Sequence, residues 1–242
     1  MLRYLFVCVV CALTVLINNS AVADTSSNTE EVEIIIQDTQ QKAEQGDAGS
    51  QLLLGVLYYE GKVVPQDYAQ ARQWFEKVAK KGNDYAQFRL GELYYQGKGT
   101  PQDYVQARQW YEKAAEQSFP PSQFMLGHMY YQGEGVSQSY VQARQWYEKA
   151  AEQGDIAAQV NLGLIYSKGE GVRQDYAQAR QWYEKAAKQG NASALYNLGM
   201  MYLLGRGVRQ DFHKAKEILG QACDKGEQFG CDVYRGLNEQ GY

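Results

Sequence analysis

The chain has 242 residues, 45% hydrophobic and 21% charged, an ordinary globular balance with enough apolar content for a sizeable core. Its 28 acidic residues outnumber 24 basic ones, and no basic cluster interrupts that balance, which argues against a nucleic-acid or anionic-membrane surface. Twenty Tyr and 24 Gly against only 4 Pro point instead to a repeated unit.

Residues 1–23 read as a cleaved signal peptide. Arg3 supplies the positive charge, and Leu5–Ile17 is an apolar run too short to span a bilayer comfortably. Ala21-Val22-Ala23 then offers a cleavage signal before Asp24. Cys8 and Cys11 lie inside the apolar run, away from any lipidation junction. Cleavage would remove Arg3 and no acidic side chain, so the mature chain is more acidic still, and no later stretch is apolar enough to span a membrane. Cys223 and Cys231 would remain, an even pair in an exported chain, for which a disulfide is the default reading.

Residues 24–29 read as a disordered lead and 30–46 as an N-terminal capping helix. Over 47–226 one period rules: Gly55, Gly91, Gly127, Gly163 and Gly199 stand 36 residues apart. Trp74, Trp110, Trp146 and Trp182 keep the same interval, with Ile218 as fifth member, and so do Tyr58, Tyr94, Tyr130, Tyr166 and Tyr202. Each unit reads as two helices. Helix A of the first is predicted over Ala48–Glu60, with Leu54, Leu57 and Tyr58 at i, i+3, i+4 spacing. Gly61 stops it, a short loop follows, and Asp67 caps helix B with Gln70 placed for a capping box. Helix B is predicted to run to about Lys81, with Ala71, Phe75, Val78 and Ala79 as its buried stripe and Trp74 beside it. Its phrase YVQARQWYEKAAEQ occurs twice unchanged, at Tyr104–Gln117 and Tyr140–Gln153. A single hairpin cannot bury both helices' apolar faces, so the units must stack. The predicted fold is a right-handed all-α solenoid, closed at residues 227–242 by a C-terminal capping helix whose Asp232, Arg235, Asn238 and Glu239 suit solvent.

Two phrases carry a family resemblance. In the third unit Leu126-Gly127 is followed by Tyr130 and Gly133; in the fourth, Asp175-Tyr176 is followed by Ala179-Arg180 and Trp182-Tyr183-Glu184-Lys185-Ala186-Ala187. These resemble the Sel-one-like repeat family, longer-loop relatives of tetratricopeptide repeats, over about residues 30–240. The resemblance implies an adaptor scaffold with helix A on its concave side. The Cys pair is similar to that of an exported bacterial subgroup rich in cysteine, some of whose members are β-lactamase-like or penicillin-binding. In that subgroup most repeats carry the pair, whereas here only the last does.

Little else in the sequence points to chemistry. Two Cys without a neighbouring His make a poor zinc site, and thiol oxidoreductase C-x-x-C spacing is missing, so a structural staple is favoured over a metal or redox role. Gly97-Lys98-Gly99 and Gly133-Glu134-Gly135 follow a helix instead of a strand and read as turns, not phosphate cradles. With His128 and His213 as the only histidines, a multi-His metal centre is excluded. No metal, cofactor or catalytic residue is assigned. Asn191-Ala192-Ser193 has the form of a glycosylation acceptor but coincides with a helix start.

Comparison of the repeats singles out a different surface. Positions that hold the scaffold recur; positions free to read a partner differ. On helix A, Leu53, Arg89, Met125, Asn161 and Asn197 form one varying column. Val56, Glu92, His128, Leu164 and Met200 form a second, and Glu60, Gln96, Gln132, Lys168 and Leu204 a third. Steps of three and four place them on one face. Tyr59, Tyr95 and Tyr131 lie alongside and add flat amphipathic contact area. The reading is an exported, periplasmic or secreted scaffold that binds a protein or peptide there. The alternatives are a β-lactamase-like or penicillin-binding hydrolase and a secreted host-directed factor.

Overall fold

The computed structural model describes residues 25–242; the signal-peptide reading of residues 1–23 lies outside them. The described residues form helices and no strand. The first helix is α1 (Thr25–Glu44). It begins ahead of the expected start at residue 30, because neither Gly nor Pro stands between Thr25 and Gln45 to stop it. The A helices follow as α2 (Ala48–Glu60), α4 (Asp84–Gln96), α6 (Pro120–Gln132), α8 (Ile156–Lys168) and α10 (Ala192–Leu204). The B helices alternate with them as α3 (Tyr68–Ala79), α5 (Tyr104–Glu116), α7 (Tyr140–Glu152), α9 (Tyr176–Lys188) and α11 (Phe212–Asp224), and α12 (Gln228–Glu239) comes last. The chain divides into two compact units, one ending at Ala114 and the other spanning Ala115–Tyr242. Each is an all-α solenoid of helix-turn-helix repeats.

The 36-residue glycine has a direct cause. A Cβ on Gly91 would lie 2.4 Å from the Tyr111 ring, and one on Gly127 2.5 Å from Tyr147. The B helix lays its large side chain across the A helix at its narrowest point. Phe75, Tyr111, Tyr147 and Tyr183 fill this place with at most 2% of their surface exposed, and Leu219 takes it in the fifth repeat. Each such burial contributes about 1.5–3 kcal/mol. The more conspicuous Trp110, Trp146 and Trp182 are only half-buried and carry Lys113, Lys149 and Lys185 about 4 Å above their rings. Only Trp74 is buried, in a cluster with Ala43, Leu54 and Leu57.

Helix ends follow the predicted glycines. Gly97 closes α4 at φ 66°, and its amide returns to the Leu93 carbonyl. The second glycine of that loop, Gly99, has a further reason: a Cβ there would lie 2.4 Å from the Tyr68 carbonyl carbon, so the loop seats on the start of the preceding B helix. The capping box is half realised. Asp67 accepts from the amides of Ala69 and Gln70 at 2.9 Å, as an N-cap should. Its own amide, which Gln70 would have to receive, donates instead to the Tyr58 carbonyl. The same bond recurs from Asp103 to Tyr94, Ser139 to Tyr130 and Asp175 to Tyr166, tying each B helix to its A helix.

Successive repeats are joined by a second recurring link. Gln87, Gln123 and Gln159, all buried, donate their side-chain amides to the carbonyls of Ala79, Ala115 and Ala151, eight residues earlier. Gln51 does the same to Ala43 of α1. The fifth repeat has buried Leu195 instead. At the sixth position stands Cys231, bonded to Cys223 in a disulfide with a Cα–Cα distance of 4.5 Å. It fastens α12, on which Asp232, Arg235, Asn238 and Glu239 are all exposed.

Candidate functional site

The varying columns of the A helices fall into three environments. Two of the three first-repeat members are core residues. Leu53 and Val56 are 9% and 5% exposed; Leu53 packs with Ala43 of α1 and with Trp74, and Val56 with Phe75, Leu90 and Leu93. They therefore offer no surface to a partner, contrary to the expectation from the columns. Glu60, the third member, stays at the surface and pairs with Lys62 at 3.1 Å.

In the first unit the columns converge on Arg89. Its Nη1 lies 2.6 Å from a Glu92 carboxylate oxygen, and its Nε donates to the Tyr85 hydroxyl at 2.9 Å. The guanidinium lies 4.9 Å from the ring centroids of both Tyr59 and Tyr85. Burial opposes its charge, but Tyr85 and Glu92 outweigh that and hold the pKa above its ordinary value. Burial, then Glu92, pushes the Tyr59 hydroxyl up, so it remains a neutral donor. Tyr95 packs edge-on against Tyr104 at 5.1 Å. Arg89, Glu92 and Tyr59 thus form one pre-ordered polar-aromatic patch, with Gln96 exposed farther along the helix.

In the second unit the columns are looser and partly covered by loop carboxylates. His128 Nδ1 stands 3.5 Å from Glu134, and the Tyr131 hydroxyl donates to Glu170 at 2.7 Å. Lys168 reaches the other oxygen of Glu170 at 3.5 Å. Burial and the Glu170 bond push the Tyr131 pKa up. Met125, Asn161, Leu164 and Met200 are half-buried, Gln132 and Leu204 exposed, and Asn197 bonds back to the Ser193 carbonyl. The columns alone do not reveal Tyr85, Glu134 or Glu170. Their signal is nonetheless present, since the loop position runs Lys62, Lys98, Glu134, Glu170, Arg206 and so changes sign along the chain.

Two hollows stand out on the second unit. One, of about 320 Å³, is lined by Gln142, Gln145, Trp146, Glu148, Lys149 and Glu152, all from α7, with Lys149 lying over the Trp146 ring. A single helix face converges no groups on one point. The other, of about 80 Å³, opens beside the columns, between Ser167 and Tyr176 of the fourth repeat and Asn197, Met200 and Leu204 of the fifth. Among the described residues no three His, Cys, Asp or Glu side chains gather as metal ligands, and no helix is long and apolar enough to cross a membrane.

Comparison with known proteins places this architecture. The Sel1 repeat model matches residues 48–83, 84–119, 120–155, 156–191 and 192–227. A protective antigen of uropathogenic Escherichia coli with the SLR fold is 34% identical over 95% of this chain, with a TM-score of 0.82. The chain spans about half, 52%, of that protein's length. A Sel1 repeat protein from Oxalobacter formigenes is 31% identical, covers 87% of this chain and 89% of its own, and superposes with a TM-score of 0.77. No curated protein matches the chain. With contiguous repeat matches over residues 48–227 and relatives above 30% identity, the chain belongs to the Sel1 repeat family.

Proposed function

We propose that the protein is an exported scaffold whose A-helix face binds a protein or peptide partner. One observation carries this reading. The first four B helices repeat a phrase almost unchanged, while the outward columns of the A helices vary along the chain, with only Asn161/Asn197 and Gln96/Gln132 alike, and keep part of their surface open from Arg89 onward. Residues that only build a repeat are constrained alike in every copy; a reading surface must differ along its length. Arg and Tyr, the types that dominate the patch around Arg89, are also those that concentrate binding energy at interfaces.

Export rests on the sequence of residues 1–23. The Escherichia coli relative, described as a protective antigen, adds support for a place outside the cytoplasm. The test is capture of partners by crosslinking in intact cells, followed by pull-down with the mature protein as bait. Arg89→Ala with His128→Ala should abolish recovery of the partners held by the wild type. Unchanged recovery, with the variant's circular dichroism intact, would overturn the assignment of the A-helix face.

A further inference from the structure

The first three A helices each place a tyrosine edge-on against the first residue of the following B helix. Tyr59 meets Tyr68 at 5.5 Å between ring centroids, Tyr95 meets Tyr104 at 5.1 Å, and Tyr131 meets Tyr140 at 5.1 Å. In the fourth repeat the B-helix partner, Tyr176, is retained, but the A-helix position is Ser167. The ring is missing and its space remains. The 80 Å³ cavity is bounded by these two residues and by Met200 and Leu204.

We propose that this gap is a docking pocket for an aromatic side chain, carried next to a carboxylate on an extended segment of a partner protein. The proposal rests on the protein-binding reading of the A-helix face and names what that face would read. The walls suit a ring. Tyr176 presents the surface that its counterparts in other repeats give to a tyrosine, and edge-on packing is the arrangement aromatic quadrupoles favour. Met200 is an adaptable apolar wall. Leu204 is 48% exposed at the mouth, so the pocket opens to solvent on the side of the varying columns.

The floor is polar and can meet a phenol. Ser167 Oγ donates to the Leu164 carbonyl at 2.9 Å, and the Tyr183 side chain lines the pocket with it. Burial pushes the Tyr183 pKa up to about 12, so this hydroxyl stays protonated at neutral pH. The rim selects charge. The Arg206 guanidinium lies 5.7 Å from the Tyr176 ring centroid, and among the described residues no carboxylate pairs with it. Arg209 is exposed three residues on. An acidic group beside the docked ring would find a donor fork ready for it; a basic one would be repelled.

The repeats themselves supply the decisive variant. Ser167→Tyr restores the side chain that the first three units carry and fills the gap without removing any scaffold residue. The probe is a fluorescein-labelled seven-residue peptide with a central tyrosine flanked by aspartates, followed by fluorescence anisotropy. Binding should weaken by about tenfold or more when the peptide's tyrosine becomes alanine, and again in Ser167→Tyr protein of unchanged melting temperature. Arg206→Glu should turn the preference toward a peptide with lysines in place of aspartates. No binding of the probe, equal binding by Ser167→Tyr, or equal binding of the alanine peptide would each overturn the proposal. If Ser167→Tyr leaves cellular partners in place while Arg89→Ala with His128→Ala removes them, the pocket fails and the A-helix face survives. If neither variant loses partners, both fail.

Discussion

The junction behind the third repeat and the junction behind the fifth solve the same geometry by different chemistry. Behind the third, Gln159 reaches back eight residues and donates to the Ala151 carbonyl at 3.2 Å, while Gln189 donates to its Oε1. Behind the fifth, Cys231 occupies the equivalent position and Cys223 the equivalent of Ala151, and the hydrogen bond has become a covalent bond. Between them, Leu195 fills the position with no polar contact at all. Neighbouring helices account for the difference. An inner A helix is held by the B helices on both sides, so a side-chain hydrogen bond or simple apolar packing suffices. Helix α12 packs on α11 through Val233, Tyr234 and Leu237, and among the described residues no B helix follows it. In a stack whose stability is a sum of nearest-neighbour terms, a helix with one such junction among the described residues depends most on it.

The largest effect should come from cutting that junction. Cys223→Ser with Cys231→Ser should destabilise α12 by about 2–3 kcal/mol, the chain-entropy value for so short a loop. Because coupling in a solenoid is local, the loss should be confined to the end. Hydrogen exchange should accelerate across Gln228–Glu239 and stay unchanged in Ile156–Lys168. A uniform acceleration would show that the two junctions are not the independent devices described above.

The inner junction should respond less, and in a graded way. Gln159→Ala removes a buried donor's bond and leaves a small void, for an expected cost of about 1–3 kcal/mol in urea unfolding. Gln159→Leu should recover most of that loss, because Leu195 shows that an aliphatic side chain packs at the same place. If Leu proves as costly as Ala, the hydrogen bond, and not the filling of space, is what the position demands.

How far these features are legible in the sequence depends on where the partner of each residue lies. The 36-residue period, the helix stops and the Asp67-type caps are local or recur in every copy, so the order of residues alone reveals them. The disulfide is legible too, as an even Cys pair. What the repeat comparison conceals is whatever one copy does differently because of its surroundings. Leu53 and Val56 stand in columns that are open elsewhere, but Leu53 lies against Ala43 of α1 and Val56 under Leu90 and Leu93. Aligning the repeats cannot register that cover. The missing half of the capping box has the same origin, since Asp67's amide goes to Tyr58, outside its own helix. Ser167 is the opposite case. The series Tyr59, Tyr95, Tyr131 plainly stops there, yet a gap acquires meaning only when Tyr176, Met200 and Leu204 are found around it.

The smallest expected effect lies in the turn that leads into these junctions. Gly82, Gly154, Gly190 and Gly226 occupy it at φ between 80° and 93°, whereas the turn before α6 has Ser118 at φ 61°. A residue with a Cβ is strained in that region by about 1–2 kcal/mol, since the Cβ crowds the following carbonyl oxygen. Glycine would relieve this but would lose more chain entropy on folding, which returns part of the gain. Ser118→Gly should therefore stabilise the second unit by about 0.5–1 kcal/mol net, read as a higher urea midpoint with an unchanged slope. The backbone bond from residue 118 to the Ala115 carbonyl is kept by either residue, so no hydrogen bond confounds the comparison. A lower midpoint would mean that the Ser118 side chain makes a contact at this junction that outweighs its strain, and that this turn, like the Cys pair, departs from the repeat because its position requires it.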